Sequence, residues 1–356
     1  MLVLGTIGAV LQIICLFSAP FADVLGHSAG LFLRFVLAQL SSLVPFSLME
    51  LLFLSIPIIC AVAIYLSLKS AKKGNIYLIR TISGILSIAA AVFFCFSVGF
   101  APGYRGVPLA DKAGLEQRDV SAAELYEVTL TVIEKLNPLS EQIPSLRDGS
   151  TALPMTTDEL STELSICYDR LREKYSFADS FPSRIKPLVI SPLMTYTHLS
   201  GIYSFFTGEA NLNTNYPDFV NAFTAAHEMA HQRGVSREDE ANFTAFLVML
   251  ESDSDYIRYS AYLNMYQYLS GALYSADYDL WYDAQKRLSD TVCYELSAYS
   301  DFFDKYRDST ASKVADTLNN AYLESQGTEG TKSYGLVVDL AVAYYLNDNI
   351  HHNGID

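Results

Sequence analysis

The chain predicts a mainly α (α+β) protein: three N-terminal transmembrane helices, then a largely helical extramembrane domain with a small β-sheet. Three observations lead there. Residues 1–105 contain three apolar stretches of about spanning length. Charge divides sharply at the same place, with six basic and two acidic residues before it and 18 basic and 37 acidic ones after it. Beyond it the pattern is helical almost throughout, and only two short stretches read as strand.

The first unit is residues 1–105, with spans at about 2–18, 47–68 and 81–100. Residues 2–18 are almost wholly apolar and lack the basic segment that precedes a signal peptide's apolar core, so they are expected to anchor the chain. In 21–44, Asp23, His27 and Arg34 recur at helical spacing among leucines and phenylalanines, as in a helix lying along a membrane surface. Glu50 stands near the end of its span, where a carboxylate reaches the interface. Lys69, Lys72, Lys73 and Arg80 form the densest basic cluster beside a span, and the positive-inside rule puts it in the cytoplasm. Everything after about residue 101 is then expected outside, in a multi-pass membrane protein.

Pro102, Gly103, Gly106 and Pro108 mark the exit from the membrane. The second unit, 106–356, is strongly acidic and has no basic patch, so nucleic acid is not an expected partner. Helices are expected at about 121–136, where Ser121 and Glu124 form a capping box, and at about 157–174, with loop over 137–154. Residues 186–191 contain the buried-strand pattern Leu188-Val189-Ile190. Residues 203–213 read as an edge strand to which a peptide can add, with Glu209, Asn211 and Asn213 on one face. Glu209 follows Gly208 and reads most simply as a turn residue. Cys167 and Cys293 lie outside the apolar spans, and no spacing demands that they pair. His351 and His352 fall in a polar tail expected to have little order.

The chemistry centres on His227-Glu228-Met229-Ala230-His231, an HExxH motif closed by Gly234. Residues four apart on a helix project the same way, so His227 and His231 present two imidazoles to one point, with Glu228 beside them. A catalytic zinc needs three protein ligands and an open position for water, and the adjacent carboxylate can take that water's proton. Glu228 is the expected general base, and Zn2+ the expected ion. The third ligand is not a histidine three residues after the glycine, because that position is Arg237. Gly234 stops one helix, and Ser236 with Asp239 starts another that returns an acid towards the histidines. Glu238, which shares its face with Ala241, Asn242 and Ala245, is favoured; Glu240 is the reserve. Tyr259, Arg258 and His198 are candidates to stabilise an oxyanion, unranked by sequence.

This arrangement resembles the gluzincins, whose downstream helix supplies a glutamate from an ExxA(D/N) pattern matched by Glu238, Ala241 and Asn242. The resemblance implies a zincin-like domain, with Asn242 hydrogen-bonded behind the ligands and Glu209 as an alternative amine-binding glutamate. The connection from His231 to Glu238 is shorter than is usual there. The whole layout is also similar to a bacterial domain-of-unknown-function family with three N-terminal transmembrane helices and a gluzincin-like zinc metallopeptidase domain. That likeness rests on Thr207-Gly208-Glu209-Ala210-Asn211-Leu212-Asn213, the HExxH segment, Arg237 to Phe243, Arg258-Tyr259-Ser260 and Ser333-Tyr334-Gly335.

The expected function is a membrane-anchored metallopeptidase acting on a peptide or protein substrate. The alternative is a non-catalytic sensor or scaffold whose zinc site is structural or vestigial. Intramembrane proteolysis is disfavoured by Asn221, Gln232, Arg233 and the acidic run after them.

Overall fold

The computed structural model describes residues 2–144, 146, 150–328 and 336–353, which leaves Ser333-Tyr334-Gly335 outside the described residues. It is mainly helical, with one three-stranded sheet. Four apolar helices come first: α1 (Leu2–Phe17), α2 (Ala19–Ser42, with a π-helical turn over Gly26–Gly30), α3 (Leu48–Ala71) and α4 (Asn75–Gly99). Among the described residues α2, α3 and α4 are long and apolar enough to cross a membrane. At 1.5 Å per residue α1 is only about 24 Å long.

The helices divide the work differently from the sequence expectation. α1 runs parallel to α4, its Gly5 and Gly8 letting the backbones approach Ala90 and Ser97, and Gln12 Nε2 donates to Ser97 Oγ at 3.0 Å. α2 touches the extramembrane domain along its length. Asp23 pairs with Lys112 at 2.7 Å, His27 Nδ1 lies 3.0 Å from Asp179, Gln39 donates to the Pro182 carbonyl, and Arg34 is almost fully buried. The polar face of 21–44 therefore meets protein, where lipid headgroups were expected, because the domain supplies matching charges.

The hairpin joining α2 to α3 is pinned by two buried charges of opposite sign. Lys186 Nζ donates to the carbonyls of Ser41 (2.8 Å) and Val44 at the end of α2. Glu209 accepts the N–H groups of Leu48 (2.9 Å) and Met49 (2.8 Å) at the start of α3. A cation at a helix C-terminus and an anion at an N-terminus each complement the backbone dipole and satisfy orphan groups. Glu209 is thus a buried anchor of an apolar helix and neither a turn residue nor an amine-binding one. Glu50 accepts the Ile190 N–H at 2.8 Å.

The domain continues with α5 (Ala122–Gln142) and α6 (Thr157–Lys174), both opened by complete capping boxes, Ser121/Glu124 and Thr156/Glu159. α5 runs past the expected loop start at 137, with Pro138 inside it, because Val132, Ile133 and Leu136 are packed in the core and Ser140 Oγ bonds back to the Asn137 carbonyl. The sheet has order β1 (Ile185–Pro187), β3 (Glu209–Leu212), β2 (Gly201–Ser204), with β1 parallel and β2 antiparallel to β3. The expected single edge strand over 203–213 is two strands joined at Gly208 (φ +71°). Glu209, Asn211 and Asn213 are buried along the central strand and its end, and the edges belong to β1 and β2.

α7 (Asp218–Gln232) packs on this sheet and, with α8 (Glu238–Leu250), on α9 (Asp255–Ala276) in one core. Four further helices, α10 (Tyr278–Gln285), α11 (Asp290–Asp304), α12 (Thr310–Ser325) and α13 (Val337–Asn353), complete the shell. α13 includes His351 and His352. Cys167 is buried and Cys293 exposed, and both are free.

Replacing Glu209 with Ala leaves two backbone donors of α3 without their charged acceptor, and should cost about 3 kcal/mol, since hydrogen bonds to charged groups are worth about 1.5–3 kcal/mol each and do not simply add. Thermal unfolding of the full chain in detergent reads the loss; an unchanged midpoint would show that the anchor is dispensable.

Candidate metal centre

Phe219 to Gln232 are all buried in α7, so the HExxH helix is an internal strut with no solvent face. It ends in a Schellman turn: Gly234 N–H donates to the His231 carbonyl at 3.0 Å and Val235 N–H to the Ala230 carbonyl at 3.1 Å. Gly234 has φ +97°, a conformation that glycine adopts without steric cost. The Val235 carbonyl, turned back by this motif, lies 2.7 Å from His231 Nδ1. With the Nδ1 proton on that bond, Nε2 carries a lone pair directed into the site.

α8 begins four residues after Gly234 and returns the chain across α7. Its Glu238 Oε2 lies 3.2 Å from His227 Nε2 and 3.4 Å from His231 Nε2. One donor atom from each of His227, His231 and Glu238 falls within 4.8 Å of the others, and among the described residues no fourth His, Cys, Asp or Glu joins the group. Two imidazoles and a carboxylate are donors that zinc and several other first-row ions accept. Glu240 faces the other way, accepting the Leu109 N–H at 2.8 Å, and burial pushes it up to about 7.

The connection is fastened from the membrane side. Ser236, expected to cap α8, donates instead to the Phe100 carbonyl at 2.7 Å, and Arg237 donates to the Tyr104 carbonyl. Arg34 Nη2 donates to the Arg233 carbonyl at 3.2 Å and pairs with Asp179, while Nη1 donates to the Gly99 carbonyl at 2.8 Å. A Cβ at Gly234 would stand 2.6 Å from the Arg34 guanidinium carbon. The unit 1–105 thus supplies partners for the turn that joins α7 to α8.

Electrostatics within the cluster follow from burial and proximity. Burial works against a charged His231, and the Glu238 carboxylate outweighs it, raising the imidazole to about 9. Burial alone would raise Glu238, and the His231 and His227 rings override it and hold the carboxyl well below the usual range. Glu228 is dominated by its own burial, which lifts it to about 7 against the pull of both histidines. Its Oε2 and His227 Nδ1 are buried without a hydrogen-bond partner.

Other expected residues are engaged elsewhere. Tyr259 Oη lies 3.4 Å from Glu295 in the core, Arg258 pairs with Asp255, and His198 Nε2 lies 2.8 Å from the Tyr306 carbonyl. Asn242 is buried with its amide nitrogen unpartnered, so no hydrogen bond from it orients the cluster. The tyrosines in electrostatic reach of Glu238 are Tyr268 and Tyr322; burial raises both, Tyr322 to about 12. Tyr322 comes from α12, 84 residues beyond Glu238, and no local spacing marks it.

The edge strand approaches the motif at Gly201, where a Cβ would stand 2.6 Å from Glu228 Oε1 and from Thr224 Cγ2. Gly201→Ala should therefore cost about 1–3 kcal/mol through overpacking. A lowered unfolding midpoint for the full chain in detergent is expected, and an unchanged one would mean that β2 is free to retreat from Glu228.

A family model described as "Protein of unknown function (DUF3810)" matches residues 30–342, from within α2 to within α13. No curated protein and no solved structure matches the chain. The second half of α2, all of α3 and α4, and the His227, His231 and Glu238 cluster fall inside one match covering most of the sequence, and the chain belongs to the DUF3810 family.

Proposed function

We propose that the protein is a membrane-anchored zinc metallopeptidase in which His227, His231 and Glu238 hold the ion and Glu228 is the general base. The observation that carries this reading is the convergence of three donor atoms within 4.8 Å beside a buried carboxylate. Zinc, when bound, supplies a Lewis acid that lowers the pKa of water and polarises a carbonyl. Glu228 accepts a proton from water and returns it to the leaving amine, a task suited to a carboxylate raised to about 7. Burial of the whole motif keeps its charges strong by excluding bulk water. Tyr322 and Tyr268, both in electrostatic reach of Glu238, are the hydroxyls this reading assigns to a developing oxyanion.

A structural zinc site is closed by a fourth protein ligand, and among the described residues only three donors gather here, which favours catalysis over a sensor or scaffold. The N-terminus of α3 and the C-terminal end of α4 lie against the domain, so Lys69, Lys72 and Lys73 stand at the opposite ends of both helices. With that basic loop cytoplasmic, the domain is extracytoplasmic.

Elemental analysis of the full chain in detergent should find one zinc per chain, lost in His231→Ala and Glu238→Ala and kept in Glu240→Ala. Glu228→Gln should keep the metal and lower hydrolysis of degenerate-sequence polypeptides, free and membrane-anchored, by about 100-fold or more. No metal in folded wild-type protein, or a Gln variant of full activity, sinks the reading. Proton release gives an independent check. With its imidazole raised to about 9, His231 is protonated at pH 7 and must lose that proton to ligate. Calorimetry in buffers of differing ionisation enthalpy should show about one proton released per ion at pH 7, fading as pH rises through about 9.

A further inference from the structure

The metal cluster sits at the end of a membrane helix. α4 ends at Gly99, and the ring of the next residue, Phe100, stands edge-on to the His231 ring at 5.7 Å. One turn earlier, inside α4, Phe96 meets Phe205 of the β2–β3 turn at 5.2 Å. The edge strand β2 therefore begins beside Glu228 and ends at the level where α4 leaves the apolar layer.

Two other features mark that level. The polar residues of α2 bond to the domain, while Phe32 (69% exposed) and Leu40 (58% exposed) stand away from it. Val189, 82% exposed, and Leu193, 71% exposed, flank Ile190, whose N–H is bonded to Glu50 in the first turn of α3. A surface polar towards protein and apolar away from it suits the boundary between headgroups and acyl chains.

We infer that the substrate is a polypeptide tethered to the same membrane and cut close to the point where it leaves the bilayer. This rests on the peptidase reading above. The Phe100 ring beside the end of α4 touches the His231 ring, and ten extended residues span about 33–36 Å, so a tethered chain reaches the site within about ten residues. Sharing a bilayer also replaces a search through solution by an effective concentration on the order of mM. A soluble peptide has neither advantage.

The test uses the full chain, zinc-loaded and reconstituted in phosphatidylcholine–phosphatidylglycerol vesicles. One long degenerate-sequence stalk is presented in three forms: fused to a single apolar span, carried on a palmitoyl chain, and free. Mass spectrometry should place the cuts within about ten residues of the anchor, with at least one anchored form cut about 10-fold or more faster than the free stalk. Which anchored form is preferred identifies the tether as a span or an acyl chain. Equal rates for free and anchored stalks, or cuts spread evenly along them, overturn the inference and leave the peptidase reading standing. A zinc-loaded protein that cuts none of the three overturns both.

Discussion

The Glu238 carboxylate lies against Nε2 of both His227 and His231, and much of the surrounding structure keeps it there. Three buried groups that change charge cannot be left to find each other by propensity, since each is costly to bury unless the others satisfy it. The Schellman turn at Gly234 reverses the chain over the shortest distance that brings α8 back across α7. Arg34, Phe100 and Tyr104 then bond to Arg233, Ser236 and Arg237, the residues flanking that reversal. Part of the architecture of the cluster thus comes from outside the extramembrane domain.

That dependence explains why polar residues occur in otherwise apolar helices. Arg34 binds backbone carbonyls of Gly26, Gly99 and Arg233 as well as Asp179, so one guanidinium joins α2, α4 and the end of the HExxH helix. Lys186 and Glu209 do the reverse, reaching from the sheet to the ends of α2 and α3. Because Lys186 and Glu209 lie on neighbouring strands, their opposite charges also offset one another. Their burial makes the sheet a mounting plate for membrane helices on one side and for α7 on the other, where Gln232 donates to the Gly208 carbonyl at 2.7 Å.

Much of this was legible without a structure where the cause is local. The i, i+4 spacing of His227 and His231 needs only a helix to align them, the two capping boxes need only their own three-residue reach, and apolar length marks α3 and α4. Glu209 was misread because its partners, Leu48 and Met49, are 161 and 160 residues away in sequence. Ser236 was misread for a similar reason: a serine at a helix start is a capping candidate until a better acceptor, here the Phe100 carbonyl, is brought to it.

The sequence by itself determined the mainly helical class, the apolar helices, the two converging imidazoles and the carboxylate beside them, all consequences of periodicity and length. Only the tertiary structure shows which of Glu238 and Glu240 lies against the two histidines. Two residues apart on a helix, their side chains point about 200° from each other around its axis. Either can face α7, and the choice is made by how the Gly234 turn sets α8 down and by Leu109 N–H, which takes Glu240 to the opposite side. Likewise only the fold brought Phe100 against His231 and Tyr322 towards Glu238, since such contacts join segments whose separation along the chain carries no information about their distance in space.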